Sequence, residues 1–279
     1  MIQMLIHFFR DYPFLLNAFL ASILVSICAG IVGSLVVSSK SVFFTGGVAH
    51  GAFGGVGLAL FFGFSTTLGA GIAAILMAIL MGYIRLKYQS TLDSYIAALW
   101  ALGMAIGVIC MDLSQGYGQD LSSYLFGSII SVSKNDLYLI GIFDLVLLIF
   151  VLIFYYEILS IFYDNDFCRL KKIKIHSFTI VSFVLISLGV IMSMSVAGLI
   201  LVISILSIPA YIAALFAPSL RVQMFLSSLF SLLFMWIGFW FSYQFNLSIG
   251  ACVVIASVVA LFLVLLFKKC QKEKIWNKN

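Results

Sequence analysis

Ser41–Gly63 reads SVFFTGGVAHGAFGGVGLALFFG, and the fold turns on how that stretch is read. It is apolar almost throughout, contains seven glycines and carries one ionisable side chain, His50, at its middle. A run this long and this greasy suits a helix crossing a bilayer. An imidazole is costly in hydrocarbon, so one placed there reads by default as a functional group. The glycines would let neighbouring backbones pack closely around it. The plainer reading is a histidine hydrogen-bonded to an adjacent helix.

The rest of the composition agrees with a membrane setting. The chain has 279 residues, of which 64% are hydrophobic and 9% charged, with a mean hydropathy of +1.22. A soluble domain keeps about 25% charged residues for its surface, so this chain lacks the polar side chains to cover a face in water. Its apolar runs are far longer than the ~10 residues of a barrel strand and do not alternate, which makes them helices. The expected fold is therefore all-α: a polytopic membrane protein with eight to nine transmembrane helices in one domain, residues 1–279. No cleavable signal is expected, because the start is not basic and no small-residue cleavage site follows. The five cysteines, Cys28, Cys110, Cys168, Cys252 and Cys270, are scattered and give neither metal-site spacing nor a disulfide framework. A net charge of +5 is no nucleic-acid signature here, since the basic residues sit at helix ends.

The apolar runs predict spans over Phe14–Val37, Phe43–Phe62, Leu68–Ile84, Asp93–Cys110, Leu137–Tyr156, Phe178–Met194, Val196–Ala217, Met224–Tyr243 and Ile249–Phe267. Between them lie a polar break at Ser38–Ser41, a connection over Asp112–Asp136 whose YLFGSII segment suits a short surface helix, and a charged segment over Asp164–His176. Nine spans place thirteen of the fifteen lysines and arginines on one side, leaving Arg10 and Lys134 opposite. The positive-inside rule then puts the C-terminus in the cytoplasm and the N-terminus outside. Eight spans with the same tail would bring the N-terminus inside as well. No P-loop or nucleotide-binding glycine motif is present, so any ATP-driven step would need a separate ATPase chain.

A few polar residues stand out against this background. The helical neighbours of His50 at i±3 and i±4 are Gly46, Gly47, Phe53 and Gly54, so its own helix offers no second ligand. A metal bound at His50 would need donors from another helix or a second subunit. Asp144 falls inside the fifth span, where a carboxylate must be paired or neutral. It is read either as part of an ion path or as a structural partner for serines of another helix. Pro209 removes a backbone hydrogen bond within the seventh span, and the freed carbonyl can line a cavity or simply accompany a bend. Glu157 ends the fifth span and is read as orienting the loop after it. The segment Asp164–Lys174, DNDFCRLKKIK, carries both signs of charge around Phe167. It is read as a solvated loop or as a docking element for a soluble partner.

Six segments, in order, resemble one family: GSLVVSSKSVFFTGGVAHGAFGGVGLA, DSYIAALWALGMAIGV, GYGQDLSSYLFGSIISVSKNDL, YYEILSIFYDNDFCRLKKIKI, AGLILVISILSIPAYIA and LSIGACVVI. Together they are similar to the membrane permease subunits of bacterial ABC importers for divalent metals, of the zinc, manganese and iron type, over roughly Gly30–Phe267. The resemblance implies a permease of the bacterial inner membrane that binds no cofactor of its own and is no enzyme by itself. It implies a pair of permease subunits, two soluble ATPases that bind ATP, an extracytoplasmic metal-binding protein that delivers the ion, and no nucleic-acid partner. It implies a pathway role for His50, with Gly46, Gly47, Asp144 and Pro209 as pathway or gating candidates. Glu157, Asp164, Asp166, Phe167 and Arg169 become candidates for contact with the ATPase. Many members of the family carry an aspartate four residues before the pore histidine. This chain has Gly46 there, and the near-proline position of the last motif is Ser248. Two other classes compete: a secondary ion carrier or channel, which would need repeated halves and several buried charges, and an intramembrane enzyme, for which no nucleophile motif is present.

Overall fold

Glycine at a backbone crossing removes the Cβ that would hold two helices apart, and this chain uses that device around its most buried helix. The computed structural model describes residues 13–88, 91–114, 132–163, 168, 170–171 and 174–276. Within them the helices are α1 (Pro13–Ser38), α2 (Val42–Phe62), α3 (Thr66–Lys87), α4 (Leu92–Leu113), α5 (Lys134–Ile153), α6 (Tyr155–Tyr163), α7 (Ile175–Ala197), α8 (Leu199–Phe216), α9 (Leu220–Phe245) and α10 (Ile249–Trp276). Among the described residues, all but the short α6 are long and apolar enough to cross a membrane. The nine-span reading therefore holds for helix length and composition.

The helices form two groups joined by α1 and α7. On one side α2 packs against α4 and α3, and α7 lies on α3. On the other, α8, α9 and α10 pack together, and α1 runs against α8, α9, α7 and α5. Buried residues make up 78% of the apolar window of α2 but only 17% of those of α4 and α10. Thus α2 is the interior helix, while α4 and α10 present most of their surface outward.

The glycines account for the depth of α2. A Cβ on Gly55 would stand 2.2 Å from the carbonyl oxygen of Gly69 in α3, and one on Gly54 would stand 2.7 Å from that of Gly103 in α4. Gly57 faces the Gly107 carbonyl of α4 at 2.6 Å in the same sense. Backbones this close gain dispersion contacts that lipid tails could not match. After Phe62, Gly63 adopts φ 74°, a left-handed cap that closes α2 and lets the chain turn into α3.

Several boundaries differ from the sequence reading. The fifth span begins at Lys134 rather than Leu137, because Ser133 and Asp136 form a capping box. Ser133 Oγ accepts from the Asp136 N–H at 3.2 Å, and the Asp136 carboxylate accepts from the Ser133 N–H at 3.1 Å. The same span ends at Ile153, so Tyr156 and Glu157 belong to the separate helix α6. The Arg221 guanidinium lies 4.2 Å from the Tyr155 ring centroid at the start of that helix. Val196 and Ala197 belong to the sixth span, since the break falls at Gly198 with φ 81°. The YLFGSII segment lies outside the described residues.

Candidate functional site

His50 sits halfway along α2, half-buried, with its ring lying flat on the indole of Trp100 from α4. The ring centroids are 4.2 Å apart and the planes differ by 11°. Its Nδ1 is buried and has no hydrogen-bond partner among the described residues. The imidazole is thus positioned by stacking, and the hydrogen bond to a neighbouring helix envisaged in the plainer reading is not what holds it. The Phe43 ring centroid lies 5.9 Å from that of the same indole, with the planes tilted by 50°, so Trp100 of α4 meets aromatic rings at two levels of α2.

Beside this plate lies a cleft of about 480 Å³ lined by Lys40, Val42, Phe43, Gly46, Asp93, Trp100 and Ile203. Gly46 opens into it: a Cβ there would meet only the Trp100 ring at 3.8 Å and the Ile203 Cδ1 at 3.9 Å, ordinary van der Waals contacts. Gly47 faces the other way, where a Cβ would come within 2.5 Å of the Ile96 Cγ2. The two glycines singled out in the sequence therefore do different things. Gly46 keeps the cleft wide beside the imidazole, and Gly47 lets α4 close onto α2.

The border of the cleft at Lys40 is fixed from a third helix. Arg85 of α3 donates through Nη2 to the Ser39 carbonyl at 2.9 Å and through Nη1 to Ser41 Oγ. Its guanidinium also lies 5.6 Å from the Phe183 ring centroid of α7. Between the two serines Lys40 takes φ 55°, a left-handed conformation that a lysine adopts only when its surroundings hold it there.

Other candidates fall elsewhere. Asp144 is only 5% exposed, and its carboxylate has no hydrogen-bonded partner that meets normal geometry among the described residues. It faces the core shared by α1, α5 and α7, with the thiol of Cys28 and the hydroxyl of Ser193 close by. The Cys28 thiol itself donates to the Gly189 carbonyl at 3.7 Å. Asp144 is not among the residues lining the cleft beside His50. Pro209 is buried in α8, and the carbonyl it leaves without its helical donor is that of Ile205, which accepts from Ser231 Oγ of α9 at 3.5 Å. One level lower, Gln223 of α9 donates to the Ala210 carbonyl at 3.4 Å and accepts from Ser38 Oγ at 3.2 Å.

Glu157 lies in the first turn of α6, the helix that supplies Leu159 and Tyr163 to a second cleft of about 510 Å³. The far wall of that cleft is Pro218, Leu220 and Gln223, and Lys40 borders it as well as the first. Asp164, Asp166, Phe167 and Arg169 lie outside the described residues. Among the described residues no group of three or more His, Cys, Asp or Glu side chains comes together to hold a metal. His50, like Asp144, is absent from the residues lining the cleft and meets it through the Trp100 ring, so within one copy of the chain the described residues bring one imidazole near a cleft whose lining includes one carboxylate, that of Asp93.

Trp100, Arg85, Lys40 and Asp93 complete the site without having been singled out for it in the sequence. The only advance signal was the spacing of Trp100, Gly103 and Gly107 on α4, which puts the indole beside the glycines that meet α2.

Similarity to known proteins runs the length of the chain. A membrane protein of Synechocystis sp. is 39% identical over 93% of this chain and 92% of its own length. The manganese import system permease protein ScaB of Streptococcus parasanguinis is 30% identical over 97% of this chain and 95% of its own. Among solved structures, PsaBC from Streptococcus pneumoniae in complex with Fab superposes with a TM-score of 0.81 at 26% identity, covering 95% of both chains. The profile described as the ABC 3 transport family matches residues 11–268. Sequence, helix order and packing thus point the same way, and the chain belongs to the ABC 3 transport family.

Proposed function

We propose that this chain is the membrane-spanning permease subunit of an ATP-driven importer of divalent transition-metal ions, of the zinc, manganese and iron type. The observation that carries the reading is the lone imidazole of His50, stacked on Trp100 beside an open cleft on the glycine-packed helix α2. Neutral imidazole binds divalent ions of this group through a ring nitrogen. A single strong donor also suits transit, because an ion that must leave cannot be fully enclosed. Two copies would bring two imidazoles to a shared route and supply the donors that one copy lacks. A permease of this kind performs no hydrolysis. Separate ATPases would bind ATP, dock on the side bearing Glu157 and the segment 164–174, and drive the helices between inward and outward openings. An extracytoplasmic protein would deliver the ion. The chain would lie in the bacterial inner membrane with its C-terminus in the cytoplasm. The family to which the chain belongs and the name carried by ScaB support this reading.

The test is growth of a deletion strain on limiting manganese, zinc or iron. The wild-type gene is expected to restore growth and metal accumulation, and His50→Ala is expected to restore neither while accumulating in the membrane at wild-type level. Rescue by His50→Ala equal to wild type would refute the pathway role.

A further inference from the structure

The glycine crossing of α2 and α4 holds Trp100 in register with His50. Ile96 and Gly103 lie one turn to either side of Trp100 on the same face of α4. Both are wedged against α2: a Cβ on Gly47 would come within 2.5 Å of the Ile96 Cγ2, and one on Gly103 within 2.6 Å of the Gly51 Cα. The indole between them meets the imidazole face to face, with centroids 4.2 Å apart and planes 11° from parallel. Its edge also borders the position one turn before the histidine, since Cζ3 lies 3.8 Å from where a Cβ on Gly46 would stand.

A histidine that binds a metal through one ring nitrogen is as a rule oriented through the other, by a hydrogen bond to a carboxylate, a carbonyl or water. His50 has no such partner among the described residues. Its Nδ1 is buried and unpartnered, which leaves Nε2 as the nitrogen able to meet an ion. What orients the ring is the indole face. That face carries the negative part of the aromatic quadrupole, and an imidazole that has bound a divalent ion carries positive charge. We propose that Trp100 is the positioning residue for the ion bound at His50: its face sets the plane of the imidazole and stabilises the charge the ring takes on when Nε2 meets the ion. The indole thus does for His50 what a hydrogen-bonded carboxylate does in a resident metal site, without adding a charge. An ion held in this way leaves more readily, as transit requires. This inference rests on the transport reading above and concerns how the imidazole is made fit for it.

The experiment uses the full chain reconstituted in lipid vesicles, with Mn²⁺ as the probe of affinity and Co²⁺, whose unpaired electrons quench a nearby indole, as the probe of position. Trp100→Leu is expected to weaken Mn²⁺ binding on the order of tenfold, the worth of a cation over an indole face, whereas Trp100→Phe keeps most of the affinity. Adding Trp100→Leu to His50→Ala is expected to cost nothing further. Co²⁺ is expected to quench wild-type fluorescence saturably, and the quenched component is expected to be missing from both Trp100→Phe and His50→Ala. A role in packing alone would lower the melting temperature without producing the quench or the dependence on His50. Wild-type affinity in Trp100→Leu with binding lost in His50→Ala would overturn the positioning role and leave the transport reading standing. Equal weakening by Trp100→Leu and Trp100→Phe would also overturn it, because the aromatic face would then not be what acts. Unchanged binding in His50→Ala would overturn the reading itself. If Trp100→Leu does not reach the membrane, the Co²⁺ quench decides alone, and a quench of equal size in wild type and His50→Ala overturns the proposal.

Discussion

Gly46 and Gly47 are adjacent in sequence and opposite in surroundings, and the difference can be measured. A side chain at 46 would enter the open cleft, with its nearest neighbours at 3.8 and 3.9 Å. A side chain at 47 would collide with the fully buried, branched Ile96. Gly46→Asp is therefore expected to reach the membrane at wild-type level, to melt within a few degrees of wild type, and to bind Mn²⁺ more tightly by creating an i, i+4 carboxylate–imidazole pair. Gly47→Asp should lose roughly 1–3 kcal/mol from overpacking and more from burying a carboxylate. Thermal melting and metal binding of the purified variants check both, and equal behaviour of the two would show that the cleft beside His50 is not open as described. At this scale the sequence was partly legible. His50 announced itself as the one ionisable side chain in its span, since a polar group in lipid has few reasons to be there. Trp100 did not, because an aromatic residue in an apolar helix looks like any other. Asp144 was equally conspicuous, but which helices it would face depended on packing that no local pattern encodes.

Among the helices, the element that organises the site is the short turn between α1 and α2. Its geometry is imposed by α3 through Arg85, which satisfies the Ser39 carbonyl and the Ser41 hydroxyl while its plane rests near Phe183. Hydrogen bonds to a charged donor are worth about 1.5–3 kcal/mol. Arg85→Ala is expected to lower the unfolding free energy by about that much, with Arg85→Lys recovering only part of it, because an ammonium cannot reproduce the planar fork that meets both acceptors. Denaturant or thermal unfolding in detergent reads the loss, and an Arg85→Ala protein as stable as wild type would mean that the turn holds its left-handed residue without α3. Helix existence was legible from apolar run length, and the number of spans with it. Ends were less so. The start of α5 was masked by polar residues that in fact build its capping box, and the stop at Ile153 has no proline or glycine to mark it. Pro209 was visible in the sequence, whereas the Ser231 hydroxyl that takes up its freed carbonyl lies 22 residues further on in another helix (231 minus 209) and could be found only in three dimensions.

For the molecule as a whole, what matters is which way it sits in the bilayer, because that decides which side the cleft lined by Lys40 and Asp93 faces. Thirteen of the fifteen lysines and arginines fall on one side when nine helices cross. Each charge moved to the translocated side opposes insertion, so the distribution selects one orientation. Two residues at opposite ends of the last span test it. In the proposed orientation Asn246, exposed in the tight turn between α9 and α10, would lie outside, and Cys270, exposed at the end of the candidate span Ile249–Cys270, would lie in the cytoplasm. In a background lacking the other cysteines, Asn246→Cys is expected to react with a membrane-impermeant maleimide on cells whose cytoplasmic membrane is intact. Cys270 is expected to react only after that membrane is opened. An epitope at the N-terminus should be reachable from outside, since an odd number of crossings separates the two ends. Labelling of Cys270 in intact cells would invert the molecule and turn the side proposed for ATPase docking outward, which would sink that part of the proposed function. An N-terminal epitope reachable only from inside, with Cys270 also inside, would instead mean an even number of crossings. The orientation of α10 would then be kept, and the error would lie among the earlier helices.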